Sequence, residues 1–183
     1  MKTIVLFITL ICLTGKLFAQ QTDVSNADHV LIVGIFDKSE DRYSIEVLMT
    51  ELLYEHGIKA TPSLNVLKTG SDLSLLSSDS LLRVVQHRGI DHFLIVSIRG
   101  YDRKFKPSSE NSDLKTALGA GNLFSLEKEG MVSISFELQY FLGNSYIKSD
   151  VIKCGNISSR DTVLKRFRKR MNKEISSFWN LKK

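Results

Sequence analysis

The chain has 183 residues, of which 43% are apolar and 25% are charged, with two cysteines, two prolines and a formal net charge of +5. This composition excludes collagen-like, low-complexity, coiled-coil and disulfide-scaffold proteins, and it predicts one globular domain with a sizeable core. The positive charge has to be located along the chain before it can be interpreted.

The amino-terminal segment is typical of an export signal. Lys2 precedes an apolar run, Ile4–Leu13, that is shorter than the roughly 20 residues a membrane-spanning helix needs. The residues that follow suit cleavage by signal peptidase after Ala19. The sequence therefore predicts a signal peptide at 1–19, and a buried strand or a short membrane anchor is the alternative.

A polar leader at 20–27 and a single α/β domain at 28–183 are predicted after the signal. Cys12 lies within the apolar run without the small preceding residue that lipoprotein processing needs, so we expect no lipid anchor. Cys154 would then be the single thiol of the exported protein, which excludes an internal disulfide. With no histidine nearby in sequence, we expect it to be a thiol on a strand face.

The first half of the domain predicts two strand–helix units. Residues 29–36 form an apolar run of the kind that is buried on both faces of a sheet. An amphipathic helix follows and ends near Gly57, and the next extended segment, 58–64, contains a proline that favours an edge strand. A second helix begins after Ser78 and ends near Gly89.

The second half predicts three strands and a helix. Residues 91–98 form another buried strand, and a polar stretch at 106–130 is predicted as a long loop. Apolar and polar residues alternate over 131–142, which indicates a half-buried strand. A turn leads into a last strand, 146–154, and a helix begins at about Arg160.

These elements predict an α/β fold with a mixed five-stranded sheet, the element order β-α-β-α-β-β-β-α and helices on both faces. Right-handed crossovers place the first strand beside the third, which gives the strand order 2-1-3-4-5.

One sequence pattern recurs at the starts of two neighbouring strands, where Asp28-His29 is repeated as Asp91-His92. We expect these histidines to lie near each other, and such a cluster could bind zinc. However, open α/β sheets bind ligands at the opposite edge, beyond the carboxyl ends of the strands. We therefore expect capping or packing roles and no metal site.

Motifs for catalysis or cofactor binding are not recognisable. Gly119 and Gly121 lack the spacing of a phosphate-binding loop, and no nucleophile elbow, zinc-protease or paired-cysteine motif occurs. Glu40 and Asp41 are adjacent carboxylates, which more often cap a helix than transfer protons. We expect no enzyme activity, no catalytic residue and no cofactor.

The positive charge is concentrated in the last helix. From Arg160 onward there are nine lysines and arginines against two acidic residues. A solvated helix face is one interpretation, and weak contact with an anionic membrane surface or an acidic partner is another; nucleic acid is disfavoured for an exported protein. The candidates for an anionic surface are Arg166, Arg168, Lys169, Arg170 and Lys173.

The two helix ends and the strand after the second helix resemble a superfamily of bacterial envelope domains. It includes the amino-terminal domain of the Tol–Pal translocation protein, the lipoprotein activators of penicillin-binding proteins and the curli-secretion channel subunit. In these domains a helix, a glycine, an apolar residue, an aspartate and a strand follow one another, as at Arg88–Val96. The resemblance covers roughly residues 28–160 by element order, and this chain departs from it in lacking the lipid-anchor cysteine that many members carry.

The resemblance implies an exported domain, periplasmic or associated with the outer membrane, that acts by binding another envelope protein as an accessory or assembly factor. Ligands of open α/β sheets bind beyond the carboxyl ends of the strands. Aromatic residues and arginines anchor interfaces, although closing over the sheet end is an alternative role for them. The candidates for partner binding are Tyr43, Tyr101, Arg103 and Phe105. The competing hypothesis is a small-ligand-binding protein or an unrecognised enzyme that uses the same cleft.

Overall fold

The five strands form one mixed sheet. A computed structural model describes residues 28–68, 70–102, 104, 106, 112–119 and 124–178. The strands are β1 (His29–Ile35), β2 (Lys59–Pro62), β3 (His92–Tyr101), β4 (Ser133–Leu142) and β5 (Ser145–Gly155). Their order is β2-β1-β3-β4-β5, parallel over the first three and antiparallel from β3 to β5. The predicted sheet and its strand order are confirmed.

Helices cover both faces of the sheet, as predicted. They are α1 (Ser39–Glu55), α2 (Asp79–His87), α3 (Leu114–Gly119) and α4 (Arg160–Phe178). The buried residues of α1 and α4 belong to one hydrophobic core, and those of α2 and α3 belong to the other. Because β1 and β3 contribute side chains to both cores, their sequences are apolar on both faces.

The predicted signal peptide, the polar leader and Cys12 lie outside the described residues. Within the described part of the chain, no helix is long and apolar enough to cross a membrane.

The segment predicted as a long loop, 106–130, contains the short helix α3. Leu114, Ala117 and Leu118 are buried in the core that α2 shares with the sheet. These positions have the i, i+3, i+4 spacing of one helix face. Burying this face is what places α3 against the sheet, because six residues are too few for an isolated helix to be stable in water.

Strand β4 is buried on both faces, so the prediction of a half-buried strand was wrong for its polar side. Ser133, Ser135 and Glu137 are buried together with the apolar residues of the other face. β4 has a neighbouring strand on each side, and Arg99, at an irregularity in the pairing of β3 with β4, reaches Glu137 at 3.2 Å. Side chains from other parts of the fold thus cover Ser133, Ser135 and Glu137, which the alternation of apolar and polar residues in β4 predicts to face water.

A buried ion pair joins α1 to the two strands at the edge of the sheet. The Glu46 carboxylate is fully buried and accepts hydrogen bonds from the backbone N–H of Gly34 (2.9 Å) and Leu64 (3.1 Å). It also accepts from Arg42 Nε at 2.9 Å and Ser63 Oγ at 2.5 Å, and Arg42 donates to Ser63 Oγ at 2.7 Å. All of these groups are therefore satisfied inside the protein.

The reason for this arrangement is the short edge strand. Pairing of β1 with β2 ends at Ile32 and Pro62, so the N–H of Gly34 has no strand partner on that side. An unpaired buried N–H is costly, and the Glu46 carboxylate supplies the missing acceptor. Gly34 also lets the chain approach closely, because a Cβ there would lie 3.4 Å from Arg42 Cγ and 3.0 Å from Phe36 Cε2.

We predict that Glu46→Ala lowers the free energy of unfolding by about 3–5 kcal/mol, because it leaves the buried Arg42 charge and two backbone N–H groups without their acceptor. Urea unfolding followed by circular dichroism measures the change. Glu40→Ala, which removes an exposed carboxylate from the first turn of the same helix, is the control. A similar loss in both variants would contradict the role given to Glu46.

The two histidines of the repeated pattern lie on opposite faces of the sheet. His92 pairs with Val30, so the two repeats are one residue out of register. A shift of one residue reverses the side-chain direction along a strand. His29 Nε2 contacts Thr61 Oγ1 at 2.8 Å, whereas His92 Nδ1 contacts Asp91 at 2.6 Å. The two strands lie side by side as expected, but the histidine side chains point to opposite faces and do not form a cluster.

Burial of His29, together with the charge of Lys59, lowers the pKa of its imidazole from 6.5. The unfolded chain consequently takes up a proton at a higher pH than the folded protein. We predict that the contribution of His29 to the free energy of unfolding is fully present above pH 6.5. This contribution falls as the pH drops from 6.5 through the lowered pKa of the folded protein. In His29→Gln this dependence should be flatter when unfolding is measured from pH 7 to pH 5. His87→Gln, which removes an exposed histidine at the end of α2, is the control, and equal flattening in both would overturn the assignment.

Candidate functional site

The carboxyl ends of β1 and β3 meet the first turn of α1, the segment 124–131 and the start of α4. At this edge of the sheet the residue before α1, the segment 127–131 and the turn before α4 form an open cleft of about 450 Å³, which we call the strand-end cleft. It is lined by Lys38, Glu127, Lys128, Glu129, Gly130, Met131 and Ser158. The cleft lies at the edge where the sequence predicted a binding site.

Asp41 connects the elements around the cleft. Its carboxylate is buried, accepts a hydrogen bond from Leu126 N at 2.8 Å, and lies 3.1 Å from Arg160 NH2. The same arginine nitrogen is 3.0 Å from Ser44 Oγ. One carboxylate in the first turn of α1 therefore binds both the segment 124–131 and the first residue of α4. Asp41 lies at a helix N-terminus, but its hydrogen bonds join elements that are distant in sequence.

Tyr101 holds the same segment from the end of β3. Its hydroxyl donates to Ser125 O at 2.5 Å, and its ring packs edge-to-face on Phe124 with centroids 5.3 Å apart. Lys128 Nζ lies 5.4 Å from the ring centroid. Burial raises the pKa of Tyr101, and the hydroxyl bonded to Ser125 stays protonated at neutral pH. Ring and hydroxyl are thus both engaged within the protein.

Asp102 fixes the chain just beyond β3. It adopts a left-handed conformation with φ +53, which aspartate tolerates better than most residues. Its carboxylate accepts from Val132 N at 3.2 Å and from Ser133 N at 2.7 Å. Partial desolvation works against the carboxylate, but the bonds from Ser133 and Val132 outweigh it and lower the pKa of Asp102.

Tyr43 is the exposed aromatic of this edge. It is 60% exposed on α1, roughly one and a half helical turns beyond Lys38. Of the other predicted candidates, Tyr101 is half-buried, while Arg103 and Phe105 lie outside the described residues. The structure therefore places Tyr43 and Tyr101 at the same edge, with different surroundings.

The chemistry that the cleft offers is polar and of mixed charge. Its described lining holds two lysines and two glutamates and contains no histidine or cysteine. Across the described part of the chain, no three side chains of His, Cys, Asp or Glu are grouped to hold a metal ion. The arrangement is suited to ion pairs and hydrogen bonds with a partner.

The sequence did not predict the roles of three buried charged residues of α1. Asp41 was expected to cap a helix, and Arg42 and Glu46 were not identified. A signal for the pair was present, because Arg42 and Glu46 are four residues apart on the stripe that continues to the buried Met49. A charged pair on an inward stripe indicates a buried network, whereas the acceptor role of Asp41 toward Leu126 has no local signal.

The basic residues predicted to meet an anionic surface divide between two sides of α4. Arg168 lies toward α1 and pairs with Glu51 at 3.4 Å and Glu55 at 2.5 Å. The other four line a groove between α4 and the end of β5, which we call the basic groove. These residues are Arg166, Lys169, Arg170 and Lys173.

The fold has distant structural relatives. The chain is similar to lipoprotein GNA1162 from Neisseria meningitidis, at 12% identity over 81% of this chain and 98% of that one, with a TM-score of 0.46. It is also similar to the PelC dodecamer from Paraburkholderia phytofirmans, at 8% identity over 82% and 87% of the two chains, with a TM-score of 0.42.

No family model and no curated protein matches the sequence. The similar structures include a bacterial lipoprotein, but likeness at this level carries no conclusion about activity or binding. The resemblance to the envelope superfamily stays a prediction.

We predict that Asp41→Ala loosens the segment 124–131, because Leu126 loses its acceptor and Arg160 its carboxylate. Amide exchange in the peptide containing Leu126 should accelerate about tenfold or more, as expected for the loss of a hydrogen bond to a charged group. Hydrogen–deuterium exchange with mass spectrometry measures this. Asp37→Ala, which removes an exposed carboxylate two residues before α1, is the control; unchanged exchange in Asp41→Ala would refute the proposed link.

Proposed function

We propose that the chain is an exported, non-enzymatic domain of the bacterial envelope that binds another envelope protein through the strand-end cleft and Tyr43, as an accessory or assembly factor. The observation that carries this proposal is the mixed charge of the cleft, and the exposed Tyr43, five residues along the chain from Lys38 of the cleft lining, supplies an aromatic side chain free to contact a partner. Aromatic anchors surrounded by a polar rim are characteristic of protein interfaces.

The rigidity of the surroundings supports a binding role. Asp41 ties α1 to Leu126 and Arg160, and Tyr101 ties β3 to Ser125. A surface held in place by buried hydrogen bonds loses little conformational entropy when a partner binds, so more of the contact free energy remains as affinity.

The charges of the cleft favour a protein partner over a uniformly charged ligand. The described lining contains Lys38 and Lys128 together with Glu127 and Glu129. Mixed charges of this kind select a complementary pattern of acidic and basic side chains on the partner, and they mainly tune specificity and the rate of association.

The state of the reactive side chains favours a non-enzymatic role. Cys154 is buried, and desolvation raises its pKa to about 12, so the thiol is not a nucleophile at neutral pH. Asp41, Arg42 and Glu46 are engaged in structural hydrogen bonds. The predicted export signal and the resemblance to envelope domains support a location in the periplasm or at the outer membrane. The residues before Cys12 do not suit lipoprotein processing, so the proposal includes no lipid anchor.

We predict that Tyr43→Ala reduces recovery of the partner at least tenfold, since truncation of a central interface tyrosine costs about 2 kcal/mol or more. The tagged full chain would be used to capture proteins from an envelope extract of its source organism, with quantitative mass spectrometry as the readout. Tyr54→Ala is the matched control, because Tyr54 is 79% exposed on the same helix, roughly three turns further along.

A protein depleted by Tyr43→Ala and retained by Tyr54→Ala would support the proposal. Equal recovery of every captured protein with both variants would count against the strand-end cleft as the binding surface. Because both tyrosines are exposed, neither variant should shift the midpoint of thermal unfolding, and this is checked first.

A further inference from the structure

The basic groove is a concave site built from one helix and the end of one strand. It has a volume of about 250 Å³ and lies where Cys154, Gly155 and Asn156 leave β5 and pass under α4. Gly155 borders open space, since a Cβ there would meet no atom within 4 Å. Among the residues that the structure describes, the groove and the strand-end cleft have no lining residue in common.

The fold sorts the cations of α4 by their partners. Arg160 pairs with Asp41, and Arg168 pairs with Glu51 and Glu55. Among the described residues, no carboxylate lies within 4.0 Å of the four cations that line the groove. The side of α4 that faces α1 is thus neutralised, and the side that faces β5 is not.

The buried stripe of α4 explains why four cations converge on one side. Val163, Phe167, Met171 and Ile175 recur every four residues and fix the helix on the sheet. Arg166 and Arg170, and likewise Lys169 and Lys173, are four residues apart and so lie above one another along the helix. At 1.5 Å per residue, the four cations extend over about 10 Å.

The floor of the groove is uncharged at neutral pH. Desolvation raises the pKa of the Cys154 thiol to about 12, even though the nearby charges of Arg170 and Arg166 act to lower it. Both guanidinium groups line the groove together with Cys154. The groove therefore has a positive wall above a neutral floor.

We propose that the basic groove is a binding site for a phosphate-bearing ligand. Guanidinium groups match phosphate oxygens in paired hydrogen bonds, and lysine ammonium groups add compact charge. Four cations over about 10 Å suit a ligand with two phosphates, or a phosphate with a further anionic group. A free phosphate ester and a phospholipid headgroup present the same chemistry.

A neighbouring hollow lengthens the groove along β5. It has a volume of about 290 Å³, shares Gly155 and Arg170 with the basic groove, and is also lined by Lys153 and Glu174. Lys153 adds a fifth cation. Glu174 brings the one carboxylate of these described linings, so the potential is most positive toward Arg166.

The test measures binding of inorganic pyrophosphate to the full chain by titration calorimetry at low salt. It also measures sedimentation with vesicles of phosphatidylglycerol and phosphatidylcholine, with pure phosphatidylcholine vesicles as the neutral reference. The groove variant is Arg166→Gln with Arg170→Gln. The control variant is Lys165→Gln with Arg168→Gln, which removes the same charge from the same helix outside the groove.

We expect the groove variant to bind at least tenfold more weakly and the control variant to bind within about twofold of the original chain. If the groove variant loses pyrophosphate binding, the ligand is a free phosphate compound. If the groove variant loses only vesicle binding, the ligand is a phospholipid headgroup. Binding of neither probe at low salt, or equal weakening in the two variants, would overturn the proposal. The altered side chains of the groove variant are exposed, so circular dichroism should show an unchanged fold.

Discussion

The buried Glu46 carboxylate is the interaction on which one side of the sheet depends. Strand β2 is four residues long and ends at a proline, so β1 continues past the end of its neighbour. The carboxylate takes the place of the missing strand by accepting from Gly34 and Leu64. Since Arg42 neutralises the charge locally, α1 is attached to both strands by polar groups that are satisfied and by apolar groups that are buried.

Asp41 extends the same principle to the edge that carries the strand-end cleft. Glu46 and Asp41 are five residues apart on α1, and each accepts hydrogen bonds from segments far away in sequence. Buried charges of this kind add little net stability compared with apolar residues, but they specify which segments meet. Asp41 thereby helps to position the segment 124–131, which contributes most of the lining of the cleft.

The helices and strands around the candidate site could be predicted from the sequence, but the exposure and the bonding partners of its side chains could not. The carboxyl-end rule indicated this edge of the sheet, where the binding site stays a prediction, and periodicity identified α1, β3 and the basic helix. Whether an aromatic is exposed could not be read from the pattern: Tyr43 extends into solvent, whereas Tyr101 bonds to Ser125. Arg168 and Arg170 are both arginines of the same basic run, so the sequence does not separate their roles. In the structure Arg168 forms ion pairs with Glu51 and Glu55 of α1, whereas Arg170 faces the basic groove.

The sequence by itself determined the strand order and the placement of helices on both faces, because continuous apolar runs, the edge proline and right-handed crossovers admit few arrangements. It also located an excess of positive over negative charge in the segment that begins at Arg160, with nine lysines and arginines against two acidic residues. Only the tertiary structure decided which of these charges are neutralised, which polar residues of β4 are covered, and that His29 and His92 face apart. Those outcomes depend on the exact strand register, where a shift of one residue reverses every side chain, and on contacts between segments that are distant in the chain.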